Sequence, residues 1–245
     1  MMDIWDRLEA HYKRACDHYG EENILGVFLY GSQNYNTNTE NSDVDTKCIL
    51  IPDLYHQACK PYDTNHLSVD GEICECMTIQ HMVANWKKQN INFVEIMFTP
   101  YCIINSKFEQ AWDNFLNLHR EKIARYDVKK AILSMGHQAL HTYKQDPSDF
   151  KKQMNMLRIR ASLLRLVDGG FDYWRVIHMD DETAAELRLV REFGATNEQI
   201  GDAKADLLYF IEMANNYSTP EMEKDNLDLL LDNFIMGLIA HRLLM

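Results

Sequence analysis

The chain lacks the features of several special classes of protein. Its 245 residues include only 10 glycines and 5 prolines, and 25% of the residues are charged, so a collagen-like, low-complexity or disordered chain is excluded. No apolar stretch approaches the roughly 20 residues that span a bilayer. The first twenty residues are charged throughout, so we expect no secretory signal. The sequence predicts a cytoplasmic globular protein with no membrane partner.

Metal-ligand spacing is also lacking. The six cysteines include no CxxC pair, and Cys74 and Cys76 merely alternate along a predicted strand, so we expect reduced thiols. His137 and His141 lie four residues apart on a predicted helix but have no obvious third ligand, so we interpret them as ordinary histidines.

The chain has fewer basic than acidic residues, with 25 Lys and Arg, 37 Asp and Glu and a formal net charge of -12. Such a surface repels a long phosphate backbone unless basic residues are concentrated locally. One such concentration occurs on a predicted helix, where positions 151, 158 and 165 share a face. We expect Lys152 and Arg158 to hold phosphates or an acceptor, the alternative being a solvated basic face. The whole run comprises Lys151, Lys152, Arg158, Arg160 and Arg165.

Apolar patterning divides the chain into two halves. It predicts a helix over 3–19, strands over 24–31, 44–52 and 66–79 with a hairpin at Asp70-Gly71, a helix from residue 81, and a strand or buried segment over 91–100. After about residue 106 the apolar residues have helical spacing, which predicts helices over 107–119, 127–144, 149–168, 180–193, 197–216 and 224–244. We predict an α+β fold with a mixed-sheet α/β domain at 1–105 and an all-α domain at 106–245.

The most informative stretch is GVFLYGSQNYNTNTENSDVDTKCIL, residues 26–50. An apolar strand ends at Gly31-Ser32, where glycine permits a tight turn and close approach of the backbone to a ligand. If residues 33–35 begin a helix, its free N–H groups and the Ser32 hydroxyl would receive phosphate oxygens.

Ten residues later, Asp43-Val44-Asp45 opens a second apolar strand. Two aspartates that are two residues apart project to the same face of a strand. Carboxylates held this close favour a shared hard cation, which is how Mg²⁺ is commonly held beside phosphates.

Together these motifs resemble the signature of the DNA polymerase β-like nucleotidyltransferases, hG[GS] followed by Dh[DE]h. Residues 31–35 and 38–45 are similar to the GSxAYG…TxxSDxD pattern of predicted bacterial and phage nucleotidyltransferases, some associated with RNA repair. The resemblance continues at KKQNINFVEIMFTP (87–100) and FKKQMNMLRIRASLLRLVDGG (150–170). Asn34 and Asn36 depart from the pattern by replacing small residues.

The resemblance implies transfer of a nucleoside monophosphate from an NTP, with ATP favoured, to an acceptor hydroxyl. It also implies two Mg²⁺ ions, with Mn²⁺ as an alternative, held by Asp43 and Asp45. A third carboxylate from a neighbouring strand would complete the metal site or serve as general base. We prefer Glu75 to Glu72, because Glu75 lies deeper in its strand; Asp70 is a distant third. The nucleotide-binding residues expected are Gly31, Ser32, Gln33, Tyr35, Ser42, Lys152 and Arg158. Glu95 is expected to be a buried partner of an Arg or Lys from the helical half.

Three acceptors are consistent with the sequence: an RNA 3′ end, a small hydroxylated molecule and a protein side chain. We rank the RNA 3′ end slightly ahead. Two other functions are considered. One is a nucleotide-sensing module without chemistry, and the other is an antitoxin-like transferase that acts on a protein partner. The sequence does not give the oligomeric state.

Overall fold

A computed structural model describes residues 3–39, 42–53, 56, 65–217 and 221–244. It confirms the predicted α+β architecture, with a mixed sheet and its helices first and a helical part after it. Residues 40 and 41 of the quoted motif lie outside the described residues. Among the described residues, no helix combines the length and the apolar character needed to cross a membrane.

The N-terminal part is built around one five-stranded sheet with the strand order β3-β4-β2-β1-β5. Strands β2 and β4 run parallel, and the other neighbours are antiparallel. The elements are α1 (Ile4–Tyr19), β1 (Ile24–Leu29), β2 (Thr46–Leu50), β3 (Asn65–Val69), β4 (Glu72–Thr78), α2 (Ile79–Lys87), α3 (Ile91–Val94) and β5 (Cys102–Ile104).

Local chemistry explains two details of this part. The predicted hairpin at Asp70-Gly71 is confirmed, and both residues have the positive φ (51° and 91°) that a tight two-residue turn requires. The strand alternative for 91–100 is wrong, because Asn90 caps a helical turn by accepting a hydrogen bond from the N–H of Asn92 at 3.2 Å. The buried-segment alternative is correct.

The helical part packs around α6, which contacts four other helices, α5, α7, α8 and α9. Its elements are α4 (Ser106–Ala124), α5 (Val128–Gln145), α6 (Phe150–Asp168), α7 (Tyr173–Ile177), α8 (Asp181–Phe193), α9 (Asn197–Met213) and α10 (Glu221–Leu243). Asp149 and Asp180 cap α6 and α8 through their side chains. The short helix α7 was not predicted, because five residues are too few to show a helical period.

The two faces of the sheet pack against different partners. Alternate residues of β2 and β4, such as Cys48 and Cys74, pack with Leu8 of α1. Residues of the opposite face, such as Ile49 and Phe28, belong to a second core that continues into the helical part. Since side chains alternate along a strand, Asp45 and Lys47 share the face of Ile49, between the sheet and the helices.

Candidate active site

The Gly-Ser turn is fixed by a buried carboxylate. Gly31 has a φ of 86°, a conformation that disfavours residues with a Cβ. Its N–H donates a hydrogen bond of 3.2 Å to Oε1 of Glu95, which is completely buried. A Cβ at position 31 would lie 3.8 Å from Oδ2 of Asp45, so the turn lies directly beside the aspartate pair.

The helix considered for residues 33–35 does not form, because residues 32–36 form successive turns. The N–H of Asn34 donates to the Gly31 carbonyl at 3.1 Å, and the N–H of Thr37 donates to the Ser32 carbonyl at 3.0 Å. Asn36 then adopts a φ of 55°, which a helix does not permit. Any phosphate here would therefore meet a turn rather than the N-terminus of a helix.

Asn34, which departs from the resembled pattern, has a structural role. Its side chain is buried, donates to the Leu29 carbonyl at 3.0 Å and accepts from the Thr99 hydroxyl at 2.7 Å. These bonds tie the turn to the end of β1 and to the segment before β5.

The aspartate pair fits a divalent cation. Asp43 is exposed and Asp45 half-buried, and the carbonyl of Asp45 accepts from the N–H of Tyr30 at 3.1 Å. Burial, followed by the Asp43 charge, raises the pKa of Asp45, while Lys151 and Lys47 act in the opposite direction. Neither carboxylate has a hydrogen bond or ion pair with another described residue. Two adjacent carboxylates with free oxygens are the ligands that Mg²⁺ prefers.

Glu72 is tied to the opposite face of the sheet. Its carboxylate accepts from the N–H of Val44 at 2.8 Å and from Nε of Arg7 at 3.0 Å, and it forms an ion pair with the same arginine. Glu72 therefore positions the Asp43–Asp45 segment against α1. Asp70 lies in the hairpin turn.

Glu75 lies on the same face as Asp45 and faces Lys47 across the parallel register of β2 and β4. Its Oε2 lies 2.5 Å from Nζ of Lys47. The pKa of Asp45 is raised mainly by burial and by the Asp43 charge, and the Glu75 charge adds to this rise. Among the residues the structure describes, however, no three Asp, Glu, His or Cys side chains converge in a metal-holding arrangement.

Helix α6 supplies the basic side of the site. Lys151, Met154, Asn155 and Arg158 have the i, i+3, i+4, i+7 spacing of one helix face, and all four line a cleft of about 190 Å³ with the aspartates. The Arg158 guanidinium lies 4.1 Å from the centroid of the Tyr35 ring, and Tyr35 is itself buried.

Lys152, which we predicted to hold phosphates or an acceptor, does not line the cleft. It is one residue, or about 100° of helix rotation, past Lys151. The pKa of Asp146 is lowered mainly by its hydrogen bonds with Ser148, and the Lys152 charge makes a smaller contribution. Arg160 and Arg165 form ion pairs with Asp206 and Asp180, respectively.

Helix α8 closes the cleft, and this role of α8 was not predicted from the sequence. Nη1 of Arg191 lies 3.3 Å from the Ser42 hydroxyl and 3.5 Å from the Thr37 carbonyl. Nη1 of Arg188 donates to the Asn36 carbonyl at 2.5 Å. The Arg188/Arg191 spacing on a predicted helix was visible in the sequence, but nothing in it linked this helix to a turn some 150 residues earlier.

The cleft thus gathers most of the predicted residues and two unpredicted cations. Lys151, Arg158 and Arg191 have no acidic partner within 4 Å among the residues described. In a chain with a net charge of -12, three such cations around one cleft indicate an anionic ligand. The predicted residues that line it are Gly31, Ser32, Tyr35, Ser42, Asp43, Asp45 and Arg158, and those that do not are Gln33, Glu75 and Lys152.

The fold and the Gly-Ser and Asp-Val-Asp motifs are those of a polymerase β-like nucleotidyltransferase. Residues 3–168, more than half of the chain, match the model of the RNA repair pathway DNA polymerase beta family (RlaP). The chain belongs to this family. No curated protein matches the chain. The matched residues include the aspartates and α6, whereas Arg188 and Arg191 of α8 lie beyond them.

Proposed function

We propose that the protein transfers a nucleoside monophosphate from an NTP, with ATP favoured, to the 3′ hydroxyl of an RNA, releasing pyrophosphate. Family membership supports nucleotidyl transfer in general. The observation that carries the proposal is the composition of the cleft. Two carboxylates with no hydrogen bond or ion pair to a described residue lie in one cleft with three cations that have no acidic partner within 4 Å among those residues. This arrangement is suited to a metal-bound triphosphate.

The residues of the cleft take separate roles. The Gly31-Ser32 turn and the cations of α6 and α8 hold the phosphates in line with the acceptor. A divalent ion on Asp43 and Asp45, when bound, would neutralise phosphate charge and make the α-phosphorus more electrophilic.

In the transfer step, the acceptor hydroxyl oxygen forms a bond to the α-phosphorus. The bond from this phosphorus to its leaving bridging oxygen breaks, and pyrophosphate departs with the electron pair. Glu75, beside Asp45, accepts the hydroxyl proton as a general base. Lys151 and Arg191 stabilise the charge that develops on the pyrophosphate.

RNA is the acceptor we favour because the matched family is described by an RNA repair pathway. The acidic body of the protein requires a local basic surface for such a substrate. Arg191 of α8 and Lys151 of α6 line the cleft, and Arg188 of α8 contacts the neighbouring turn at Asn36, so these three residues provide a local basic surface.

A labelling assay tests this function. The protein is incubated with each α-³²P-labelled NTP, Mg²⁺ and, separately, total RNA, small hydroxylated molecules and a cell lysate. We expect label from ATP to enter RNA, and Asp45→Asn to reduce transfer to background because one of the two metal-binding carboxylates is lost. Asp202→Asn, an exposed position on α9, is the matched control and should retain full activity. Transfer that survives Asp45→Asn would refute the assignment.

A further inference from the structure

Lys47 is a buried cation beside the candidate active site, against the ring of the cleft residue Tyr30. Its side chain is only 3% exposed, although it sits on the same sheet face as Asp45, two residues away. Nζ lies 3.7 Å from the centroid of the Tyr30 ring and 4.7 Å from that of Phe93. A lysine ammonium held this far from water requires fixed compensating partners.

The compensating partners are the two aromatic rings and Glu75. Oε2 of Glu75 lies 2.5 Å from Nζ, and the register of β2 against β4 places the two residues directly opposite each other. The ring faces attract the cation through their quadrupoles. The ammonium is therefore held by backbone pairing, by a carboxylate and by two rings, rather than by one flexible contact.

The same ammonium lies on the sheet face of Asp45. Side chains two residues apart on an extended chain project to one face, so Asp45 and Lys47 share the face on which Glu75 lies opposite Lys47. A second divalent ion held by Asp45 and Glu75 would have to share this face with the ammonium.

A second divalent ion does not fit beside this lysine. It would face a buried ammonium at close range, where charges of like sign repel strongly because water screens them little. It would also have to take Glu75 away from Lys47 and leave the ammonium buried without a counter-ion. Consistent with this, the three carboxylates do not converge on a metal-holding geometry among the residues described.

We propose that Lys47 takes the place of the second metal ion, so that the site binds one divalent ion, on Asp43 and Asp45, together with the nucleotide. This inference rests on the proposed function for the identity of the ligand. In it, Lys47 is a positioning residue that holds the Glu75 carboxylate through their ion pair. Glu75 then keeps the base role proposed above and is not a metal ligand.

Counting bound Mn²⁺ tests the proposal without an activity measurement. Electron paramagnetic resonance of the folded protein, titrated with Mn²⁺ and an NTP analogue with a non-hydrolysable α,β bridge, gives the number of ions per chain. We expect one ion in the wild type. Lys47→Met removes the charge but keeps an apolar chain between the rings, and it should raise the count to two by freeing Glu75 and Asp45.

Three variants should still bind one Mn²⁺ ion per chain. Lys47→Arg retains the charge, and the double variant Lys47→Met/Glu75→Gln lacks the third carboxylate. The third variant is Lys204→Met. The last is a matched control, because Lys204 lies 4.6 Å from the centroid of the Tyr143 ring, in the helical part.

Two ions in the wild type would overturn the Lys47 proposal while leaving nucleotidyl transfer intact, and this result does not depend on how any variant folds. A count of one in folded Lys47→Met would also overturn it. Absence of any Mn²⁺ from the wild-type complex would instead refute the proposed function, and the inference with it.

Discussion

At the scale of single residues, the shape of the candidate site depends on a buried carboxylate, that of Glu95. Glu95 accepts the N–H of Gly31 and so fixes the turn beside Asp45. Burial raises its pKa to about 7, although Arg158, Tyr35 and the Gly31 N–H all favour the ionised form. As predicted, Glu95 is buried and has an electrostatic partner, Arg158, in the helical part. The carboxylate thus links the phosphate turn to α6.

This raised pKa makes stability depend on pH. Below the unfolded-state pKa of about 4.5, Glu95 is protonated in both states and its contribution is fully present. As pH rises toward 7, only the unfolded state releases the proton, so stability falls. At about 1.4 kcal/mol per pKa unit, Glu95→Gln should become more stable relative to the wild type by roughly 3 kcal/mol between pH 4 and pH 8.

Urea unfolding at a series of pH values measures this difference. Glu109→Gln, at an exposed position in the first turn of α4, is the control and should show no comparable trend. If the free energy of unfolding of Glu95→Gln changed with pH in the same way as that of the wild type, the pKa of Glu95 would not be raised.

At the scale of elements, α8 is the part of the site that the family match does not reach. Arg191 approaches Ser42 and Thr37 only at 3.3–3.5 Å and has no acidic partner among the residues described, so its guanidinium can bind phosphate. Arg191→Ala should raise the KM for the NTP about tenfold or more, since a hydrogen bond to a charged group contributes roughly 1.5–3 kcal/mol.

Steady-state kinetics with varied NTP measures this effect, and Arg191→Lys should recover part of it by restoring the charge. Arg14→Ala, at an exposed position on α1, is the matched control. An unchanged KM in Arg191→Ala would show that α8 supports the turn without contacting the nucleotide.

The elements also show which features of the fold and the site can be predicted from the sequence. Local spacing was sufficient for the hairpin, the long helices and the Asp43–Asp45 pair, because each depends on residues close in sequence. Lys152 was predicted as a site residue but does not line the cleft, whereas Lys151, which shares a helix face with Arg158 through the seven-residue spacing, does. The Lys47–Glu75 pair depends on the register of two parallel strands, and the approach of α8 depends on packing across 150 residues. Neither is encoded in a local pattern.

At the scale of the whole molecule, the sheet and the helices share one apolar core. Phe28 and Ile49 of the sheet belong to the same cluster as Leu163 of α6 and Leu207 of α9. The predicted boundary near residue 105 therefore lies within a continuous core. We expect the two parts to unfold together, in one transition.

A pair of adjacent leucines on α9 tests this. Leu207 is completely buried and Leu208 is 58% exposed. Leu207→Ala should lower the free energy of unfolding by about 2–5 kcal/mol, and Leu208→Ala should change it by less than about 0.5 kcal/mol. In each protein, tryptophan fluorescence and far-UV circular dichroism should give coincident urea transitions. Two separated transitions would show that 1–105 and 106–245 unfold independently.

The central claim concerns which phosphorus is attacked, and the position of a radiolabel decides it. Parallel reactions with α-³²P-ATP and γ-³²P-ATP, Mg²⁺ and RNA should place the α label on RNA and the γ label in released pyrophosphate. Transfer of the γ label to an acceptor would contradict attack on the α-phosphorus. Recovery of both labels as unreacted ATP with every acceptor tested would contradict nucleotidyl transfer itself.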